Sequence, residues 1–232
     1  MTDNNNVIDA EEELNLTNRT VARKAFGEEI NAVRGSVEVP GDGEYDRKFH
    51  LLPSGAAAGR VHIVGALTRV DELDNDANTI IAEVNTDQHS GKVTLLVGQR
   101  ADGVRSQITN ADVPSWVSVV GNLNVRNPEE DDVDEFDVSL DVESFAEVDQ
   151  QRYKSWVART AEQTLDRIER REAGAQLILE KDGEEMDLMV GAEAGDLAMP
   201  DFRDSIAKLL EDEFDVGGPD PEASGAAEAA AD

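Results

Sequence analysis

The stretch RVHIVGALTRV, from Arg60 to Val70, alternates apolar with other residues in the way that a half-buried strand does. Successive side chains of a strand point to opposite sides, so one face of this strand is apolar. That face carries Val61, Ile63, Gly65 and Leu67. Because a glycine inside a strand often marks a bulge or a tight bend, the stretch predicts a strand that bends sharply.

Four further strand patterns follow, and a short segment of helical character, at about residues 104–111, separates the first two of them from the last two. Their apolar faces are Ile80, Ala82 and Val84; Val93, Leu95 and Val97; Val117, Val119, Gly121 and Leu123; and Phe136, Val138, Leu140 and Val142. The last strand has the clearest pattern, because its other face is polar and suits contact with water. The residues of that polar face are Asp137, Ser139, Asp141 and Glu143.

The order of three strands, a helical connection and two strands is that of the OB-fold, a five-stranded barrel. Such a barrel needs sharp curvature, and the glycines inside the first and fourth strands, Gly65 and Gly121, fit its corners. We therefore expect a mainly β protein, with a five-stranded OB-fold barrel, an N-terminal helix and a C-terminal helical region. A five-stranded sandwich, or a sheet with helices packed on it, is the alternative architecture.

Helical spacing and turn residues predict the elements on either side of the barrel. A first helix is expected from about Thr17, as its N-cap, to Val33, and a long amphipathic helix is expected over 149–172. Beyond it the sequence predicts a hairpin that turns at Asp182-Gly183 and then a helix from Pro200 to Phe214. The residues of that last helix expected to point inward are Phe202, Ile206, Leu209, Leu210 and Phe214.

These elements give the predicted domain organisation, and charge is distributed unevenly over it. Residues 15–126 are close to charge balance, whereas residues 172–232 are strongly acidic. The predicted parts are a disordered acidic N-terminus (1–14), an OB-fold domain with its N-terminal helix (15–148), the long helix (149–172), a small acidic C-terminal region (173–215) and a disordered tail (216–232).

The 232 residues carry 51 acidic against 21 basic side chains, for a formal net charge of -30. Such an excess repels polyanions and keeps a protein soluble. Together with a lysine content below that of arginine and the lack of cysteine, this acidic excess suggests a salt-loving organism; an ordinary acidic cytosolic protein is the alternative.

The lack of cysteine excludes disulfides and thiolate metal sites. Since no apolar run is long enough to span a membrane and the N-terminus does not resemble a signal peptide, we expect a soluble cytoplasmic protein with no membrane partner.

The sequence holds no pattern that is typical of an active site or a metal site. His50, His62 and His89 are far apart, and the motifs of zinc proteases, serine hydrolases and P-loop proteins are absent. The segment Asp74-x-Asp76-x-Asn78 starts like a calcium loop but lacks the glycine and the closing glutamate. We therefore expect no catalytic residue, no metal and no cofactor, and a protein that is not an enzyme.

Basic and aromatic side chains near the predicted barrel are candidates for binding single-stranded nucleic acid, which OB-folds hold with cations and stacked bases. The candidate cations are Arg47, Lys48, Arg60, Arg69, Lys92, Arg100, Arg105 and Arg126. Pairing with the acidic residues of the same region is the alternative role for them. The candidate stacking residues are Tyr45, Phe49 and Trp116, whereas Phe26, Phe136 and Phe145 are expected in the core.

The apolar stripe of the long helix is a candidate partner-binding surface. Its members are Tyr153, Trp156, Val157, Leu165 and Ile168. In one interpretation the stripe joins partner helices in a bundle. In the other it packs against the barrel of its own chain.

Four segments together resemble archaeal replication protein A-associated proteins, a family of OB-fold proteins. They are HLLPSGAAAGRVHIVGALTRVDEL (50–73), LLVGQ (95–99), PSWVSVVGNL (114–123) and YKSWVARTAEQTLDRI (153–168). The resemblance covers about residues 17–168. It implies a non-catalytic accessory subunit that accompanies a larger replication protein A subunit on single-stranded DNA, in replication and repair. It carries over no DNA-contact residue, so the candidate contacts above come from the expected strand geometry.

The sequence therefore leaves two functions to compare. The first is an accessory subunit of an archaeal replication protein A complex that binds single-stranded DNA directly or through its larger partner subunit. The second is an OB-fold protein-interaction module without nucleic-acid contact, which the net charge and the low aromatic content of 4% favour.

Overall fold

The computed structural model describes residues 7–9, 20–39, 47–73, 79–87, 91–98, 101–129, 131, 133–181, 184–188 and 198–214. Its strands are β1 (Val7–Asp9), β2 (Arg23–Lys24), β3 (Gly35–Val39), β4 (Arg47–Leu52), β5 (Ala56–Ala58), β6 (Arg60–Glu72), β7 (Ile80–Asn85), β8 (Lys92–Val97), β9 (Ser115–Arg126), β10 (Asp137–Glu147), β11 (Gln176–Lys181) and β12 (Glu184–Asp187). Its helices are α1 (Gly27–Asn31), α2 (Asp102–Thr109), α3 (Gln150–Glu172) and α4 (Met199–Phe214).

Strands β6 to β10 form a closed barrel in the order β6-β7-β8-β10-β9, and β9 pairs back onto β6. Strands β8 and β10 are parallel, and the other barrel pairs are antiparallel. Helix α2 connects β8 to β9, and its Ile108 is fully buried in the barrel core. The predicted OB-fold barrel is confirmed, together with its flanking helices.

The long strand β6 closes the barrel because it serves two partners in succession. Residues 60–67 pair with β9, and residues 66–72 pair with β7, with a register shift between Leu67 and Arg69. Gly65 lies where the partner changes, and a Cβ atom there would come within 2.2 Å of the Asn85 carbonyl oxygen. At Gly121 a Cβ atom would lie 2.8 Å from the Asp141 carbonyl oxygen. Both glycines therefore permit the close strand contacts of the predicted corners.

The inward faces predicted for the first four strands are buried in one main core. Strand β10 differs in part, because its register shifts between Val142 and Ser144. Phe145, beyond this shift, is buried in the core as predicted, whereas Ser139, expected in water, is also buried. Phe26 joins this core as predicted, whereas Phe136 is half-buried beneath the Arg34 guanidinium, 4.8 Å from its ring centre.

The predicted N-terminal helix over Thr17–Val33 is wrong in extent. Thr17 lies outside the described residues, residues 23–24 form strand β2, and the helix is limited to α1. Strand β2 runs parallel to β6 and pairs Arg23 with Val61. Pairing with a strand distant in sequence has overridden the local helical spacing, as tertiary contacts commonly do.

Two small sheets form a second core beside the barrel. One contains β3, β4 and β5, and the other contains β1, β11 and β12. Their buried side chains are Val37, Val39, Phe49, Leu51, Ala57, Ala175, Leu177 and Leu188.

The predicted hairpin in the C-terminal region is confirmed as β11–β12, although its turn at Asp182-Gly183 lies outside the described residues. Residues 7–9 pair with β11, so the expectation of disorder is wrong for them.

Helices α3 and α4 pack on the barrel. Asp149 caps α3, since its carboxylate accepts a hydrogen bond from the backbone N–H of Arg152 at 2.7 Å. In α4, Phe202, Ile206 and Leu209 are buried as predicted, but Phe214 is 39% exposed. None of the described helices is long and apolar enough to cross a lipid bilayer.

A buried ion pair connects α1, the β4–β5 turn and α3. The Glu29 carboxylate has no exposure, and one of its oxygens accepts from an Arg167 Nη atom at 3.1 Å. The other oxygen accepts from the backbone N–H of Ser54 at 3.2 Å. Arg167 also donates through Nε to Ser54 Oγ at 2.7 Å and through Nη to Thr164 Oγ1 at 3.0 Å. Both carboxylate oxygens of Glu29, and the Nε and one Nη atom of Arg167, are therefore held by direct hydrogen bonds.

We expect Arg167→Met to lower the free energy of unfolding by about 3–5 kcal/mol, because it leaves the Glu29 carboxylate buried without a counter-charge. Urea unfolding monitored by tryptophan fluorescence measures the change. Arg170→Met is the matched control on the same helix, since Arg170 forms an exposed pair with Asp166 and such pairs contribute about 1 kcal/mol or less. Equal losses in the two variants would contradict this role of the buried pair.

Candidate nucleic-acid interface

The outer face of β7 and β8 is the candidate interface, because OB-folds bind oligonucleotides on their second and third strands and the adjoining loops. The register brings together three outward pairs: Ile81 with Leu96, Glu83 with Thr94, and Asn85 with Lys92. Lys92 is exposed and the other five are half-buried, as on an uncovered sheet. The loop from β6 to β7 continues this face at Leu73 and Thr79, and its residues 74–78 lie outside the described residues.

A carboxylate lies between the two cations of this face. A Glu83 carboxylate oxygen is 3.5 Å from Arg69 Nη1 and 3.5 Å from Lys92 Nζ. Arg69 also contacts Asp71 at 2.5 Å. The side chains of Arg69 and Lys92 are both 60% exposed, so a phosphate can reach them. A phosphate there must compete with the Glu83 carboxylate for the charge of Arg69 and Lys92. This competition weakens phosphate binding on this face.

The remaining outward side chains of this face are uncharged: the apolar Ile81 and Leu96, the hydroxyl of Thr94 and the amide of Asn85. Ile81 and Leu96 are adjacent across the two strands and half-buried, so they offer apolar surface to a base. The sequences of β7 and β8 contain no aromatic residue. These two strands therefore offer no aromatic ring for base stacking, and the aliphatic pair of Ile81 and Leu96 is their outward apolar surface.

The predicted stacking residues lie elsewhere. Phe49 is 1% exposed in the second core, because β4 pairs with β3 and β5 and directs this ring between the small sheets, so its prediction as a stacking residue is wrong. Trp116 is half-buried and stacks on Tyr153, with ring centres 4.1 Å apart and planes inclined by 23°. One face of the Trp116 ring is thus already used inside the chain. Tyr45 lies outside the described residues.

The predicted basic residues do not form one surface. Arg60 donates to Glu143 at 2.7 Å and to the Thr20 carbonyl at 2.8 Å, so it has a structural role. Arg126 pairs with Asp137, and Arg105 donates to the Val97 carbonyl at 3.3 Å. Arg100 lies outside the described residues. The structure brings only Arg69 and Lys92 together on the β7–β8 face.

Arg47 and Lys48 line a separate groove between β4 and the β9–β10 hairpin, with a volume of about 410 Å³. Asn122 and Asn124 line its other side. His50 lies at the groove and is only 4% exposed, and its Nδ1 has no hydrogen-bond partner among the described residues. Burial and the nearby Lys48 charge lower the pKa of His50 from 6.5 to about 4. The imidazole is consequently neutral at pH 7.

The predicted partner-binding stripe of α3 is used within the chain. Trp156 packs edge-on against Phe26, with ring centres 5.4 Å apart, and donates to the His62 carbonyl at 3.3 Å. The Tyr153 hydroxyl donates to the Thr86 carbonyl at 3.2 Å. Val157 and Ile168 are fully buried in the main core, and Leu165 is half-buried against it. The prediction of a partner surface is therefore wrong, and the alternative of packing on the barrel is confirmed.

From the sequence alone, alternation in β8 already places Leu96 outward together with Lys92 and Thr94, but Glu83 and Ile81 were not identified as part of the candidate interface. Both occupy outward positions of β7, whose inward residues were identified from the same alternation, so the signal was present. Among the described residues, no group of His, Asp and Glu side chains is arranged to hold a metal ion.

No protein-family model and no curated protein matches this chain. Several solved structures have a similar fold. The Stn1–Ten1 complex of S. pombe matches with 13% identity and a TM-score of 0.46 over 54% of this chain and 85% of that chain. A replication protein A heterotrimer bound to single-stranded DNA matches with 13% identity and a TM-score of 0.45 over 64% of this chain and 98% of that chain. The second single-stranded DNA-binding protein of Mycobacterium smegmatis matches with 18% identity and a TM-score of 0.32 over 41% of this chain and 90% of that chain. Similarity at this level concerns the fold and transfers no binding property to this chain.

We expect Glu83→Gln to strengthen binding of single-stranded DNA about threefold at low salt, because unit charges ~6 Å apart in water repel by about 0.7 kcal/mol. The gain should disappear at 1 M KCl, where the Debye length is about 3 Å. Fluorescence anisotropy of a labelled oligonucleotide measures it. Glu162→Gln is the matched control, since Glu162 is exposed on α3. An equal gain in both variants would show that net charge, and not the position of Glu83, controls binding.

We expect the His50 ring to stay neutral down to pH 5, where an unperturbed histidine is already protonated. The unfolded chain takes up a proton at His50 below its ordinary pKa of 6.5, whereas the folded chain does so only near its pKa of about 4. The folded state therefore loses stability as the pH falls through this window, by about 3 kcal/mol in full. NMR titration of the imidazole signals from pH 8 to pH 5 tests this, and a midpoint near 6.5 would contradict it.

Proposed function

We propose that this chain binds single-stranded DNA and acts as a non-catalytic accessory subunit of an archaeal replication protein A complex, in DNA replication and repair. The observation that carries the proposal is the uncovered β7–β8 face of an OB-fold barrel. On that face two exposed cations, Arg69 and Lys92, stand beside the apolar pair of Ile81 and Leu96. Cations for phosphates and apolar surface for bases are the two components of single-strand binding.

The position of the helices supports this proposal. Helix α3 and helix α4 pack on one another and on the main core, and α2 places Ile108 at the core. The outward side chains of β7 and β8 retain exposure, so the part of the chain that the structure describes leaves the candidate interface accessible. The resemblance of segments within residues 17–168 to archaeal replication protein A-associated proteins supports the role as an accessory subunit, and the acidic, lysine-poor composition supports a salt-loving source.

A protein-interaction role without DNA contact is the second candidate function. The observation that favours it is the carboxylate of Glu83, which compensates both cations of the face. In this case the half-buried pair of Ile81 and Leu96 would contact a protein. The two functions differ in what the isolated chain does, because only the first predicts DNA binding without a partner.

We expect the purified protein to bind labelled single-stranded DNA in a fluorescence anisotropy titration, at low and at multimolar KCl. Phosphate contacts weaken steeply with salt, so binding that persists at multimolar KCl is carried by apolar contact. Leu96→Ala should then weaken binding up to about tenfold, the effect of removing roughly 50 Å² of apolar contact. Val21→Ala is the control, since Val21 is exposed but not part of β7 or β8.

If the protein binds DNA neither at low nor at multimolar KCl, direct DNA binding is overturned. Co-purification of a larger replication protein A subunit in that case would support an accessory subunit that acts on DNA through its partner. Failure of both binding and co-purification would overturn the accessory-subunit proposal itself.

A further inference from the structure

Three cations that lie close together in this acidic protein have no acidic partner among the described residues. Among the described residues, Lys24, Arg152 and Arg159 form no ion pair within 4.0 Å and no side-chain hydrogen bond. Lys48 is also unpaired, and it lies in the separate groove beside His50. With 51 acidic against 21 basic side chains, an unpaired cation is unusual, and three of them close together are more so.

The three side chains converge on one small cavity. The cavity has a volume of about 30 Å³ and is lined by Lys24, His62, Arg152, Ser155, Trp156 and Arg159. Lys24 comes from β2, which pairs it with His62 of β6. Arg152 and Arg159 are two helical turns apart on α3 and therefore share a face of that helix. Ser155 lies between them on the same side.

The parts of α3 and β6 that lie beside these cations are well packed. Trp156 joins α3 to β6 through its hydrogen bond to the His62 carbonyl, and its ring packs against Phe26. The His62 ring is itself held by Ser118 Oγ at 2.9 Å. Burial, Lys24 and Arg152 lower the pKa of His62, so its ring adds no positive charge at neutral pH. The charge of the site comes from the three cations alone.

Three uncompensated cations around one cavity suit an anion with several oxygen atoms. Arginine binds phosphate oxygens with its planar fork, and lysine and serine also contact phosphates in nucleic-acid complexes. The cavity admits an oxygen atom or a water molecule rather than a whole ligand, so the anion lies at its mouth. Exposure of Arg152 and Arg159 leaves that mouth accessible.

The position of the site relates it to the β7–β8 face. His62 lies four residues before Ala66 on β6, which is about 13 Å along a strand. Ala66 pairs with Asn85, the last residue of β7. Ala66 and Asn85 line a groove of about 430 Å³ together with Trp116, Tyr153 and Lys154, and the carboxylates of Asp87, Asp212 and Glu213 also line it. A strand that joins the β7–β8 face to these cations crosses this groove, and the choice of nucleic acid as the ligand follows from the proposed function.

We propose that Lys24, Arg152 and Arg159 form a second contact site for single-stranded DNA, which binds the phosphodiester backbone outside the β7–β8 face. The inference rests on the proposed function, because it assigns further contacts to the same ligand. It places the strongest phosphate contacts where no carboxylate competes, rather than at Arg69 and Lys92. The two sites together then hold a strand longer than the β7–β8 face alone accommodates.

The test is the salt dependence of binding in the variant Lys24→Gln/Arg152→Gln/Arg159→Gln. Each phosphate contact on a single strand contributes about 0.7 to the slope of log K against log salt, so the slope should become shallower by about 2. Affinity at low salt should fall at least tenfold. The matched control Arg126→Gln/Arg170→Gln/Arg203→Gln removes the same charge from cations that have acidic partners. Circular dichroism checks the fold of both variants.

The outcomes of this test distinguish the inference from the proposed function on which it rests. If the unmodified protein binds and the two triple variants lose affinity and slope equally, the inference is overturned and the proposed function stands. If the unmodified protein does not bind DNA, this inference and direct DNA binding are both overturned. Should the triple variant be misfolded, Arg159→Gln alone must reduce the slope by about 0.7, the value of one contact. Equal competition by a polyglutamate peptide would overturn the assignment of the ligand as a phosphodiester.

Discussion

Glu29 is a charged side chain without solvent access, and its burial is possible because Arg167 meets it from the middle of α3. The same arginine reaches Ser54 in the turn between β4 and β5, so one guanidinium holds α1, a small sheet and the long helix in fixed relation. A buried pair of this kind contributes little net stability compared with an apolar replacement, but loss of one partner is costly. Its hydrogen-bond geometry therefore fixes where α3 crosses the barrel.

That placement of α3 determines which surfaces remain for a ligand. With its apolar stripe against the barrel, the helix presents Arg152 and Arg159 beside β2, and it stacks Tyr153 on Trp116. The β7–β8 face remains uncovered on another part of the barrel. The candidate binding surface and the structural support thus lie on different strands of one sheet, as expected of a scaffold on which function depends on the site and not on the fold.

The barrel could be predicted because each of its strands alternates, and alternation reports which side chains share a face. It does not report what covers the face. Phe49 follows two charged residues in β4, yet the second core that buries it includes Leu177 of β11, far away in sequence. The stripe of α3 has the same spacing whether it meets its own barrel or another protein, so both interpretations stayed open. Arg69 looked available for phosphate because its partner, Glu83, is brought to it only by strand pairing.

The second core joins early and late parts of the chain, since β1 pairs with β11 and the β3–β4–β5 sheet packs against Leu177 and Leu188. A fragment trimmed after Glu172 would keep every strand of the barrel. It would also uncover the apolar surface of Val37, Phe49 and Leu51, and an exposed apolar patch of this kind promotes aggregation. The smallest fragment of this protein that folds without aggregating is therefore larger than its OB-fold. Proteolysis or truncation near residue 172 would yield an aggregation-prone product instead of an independent barrel.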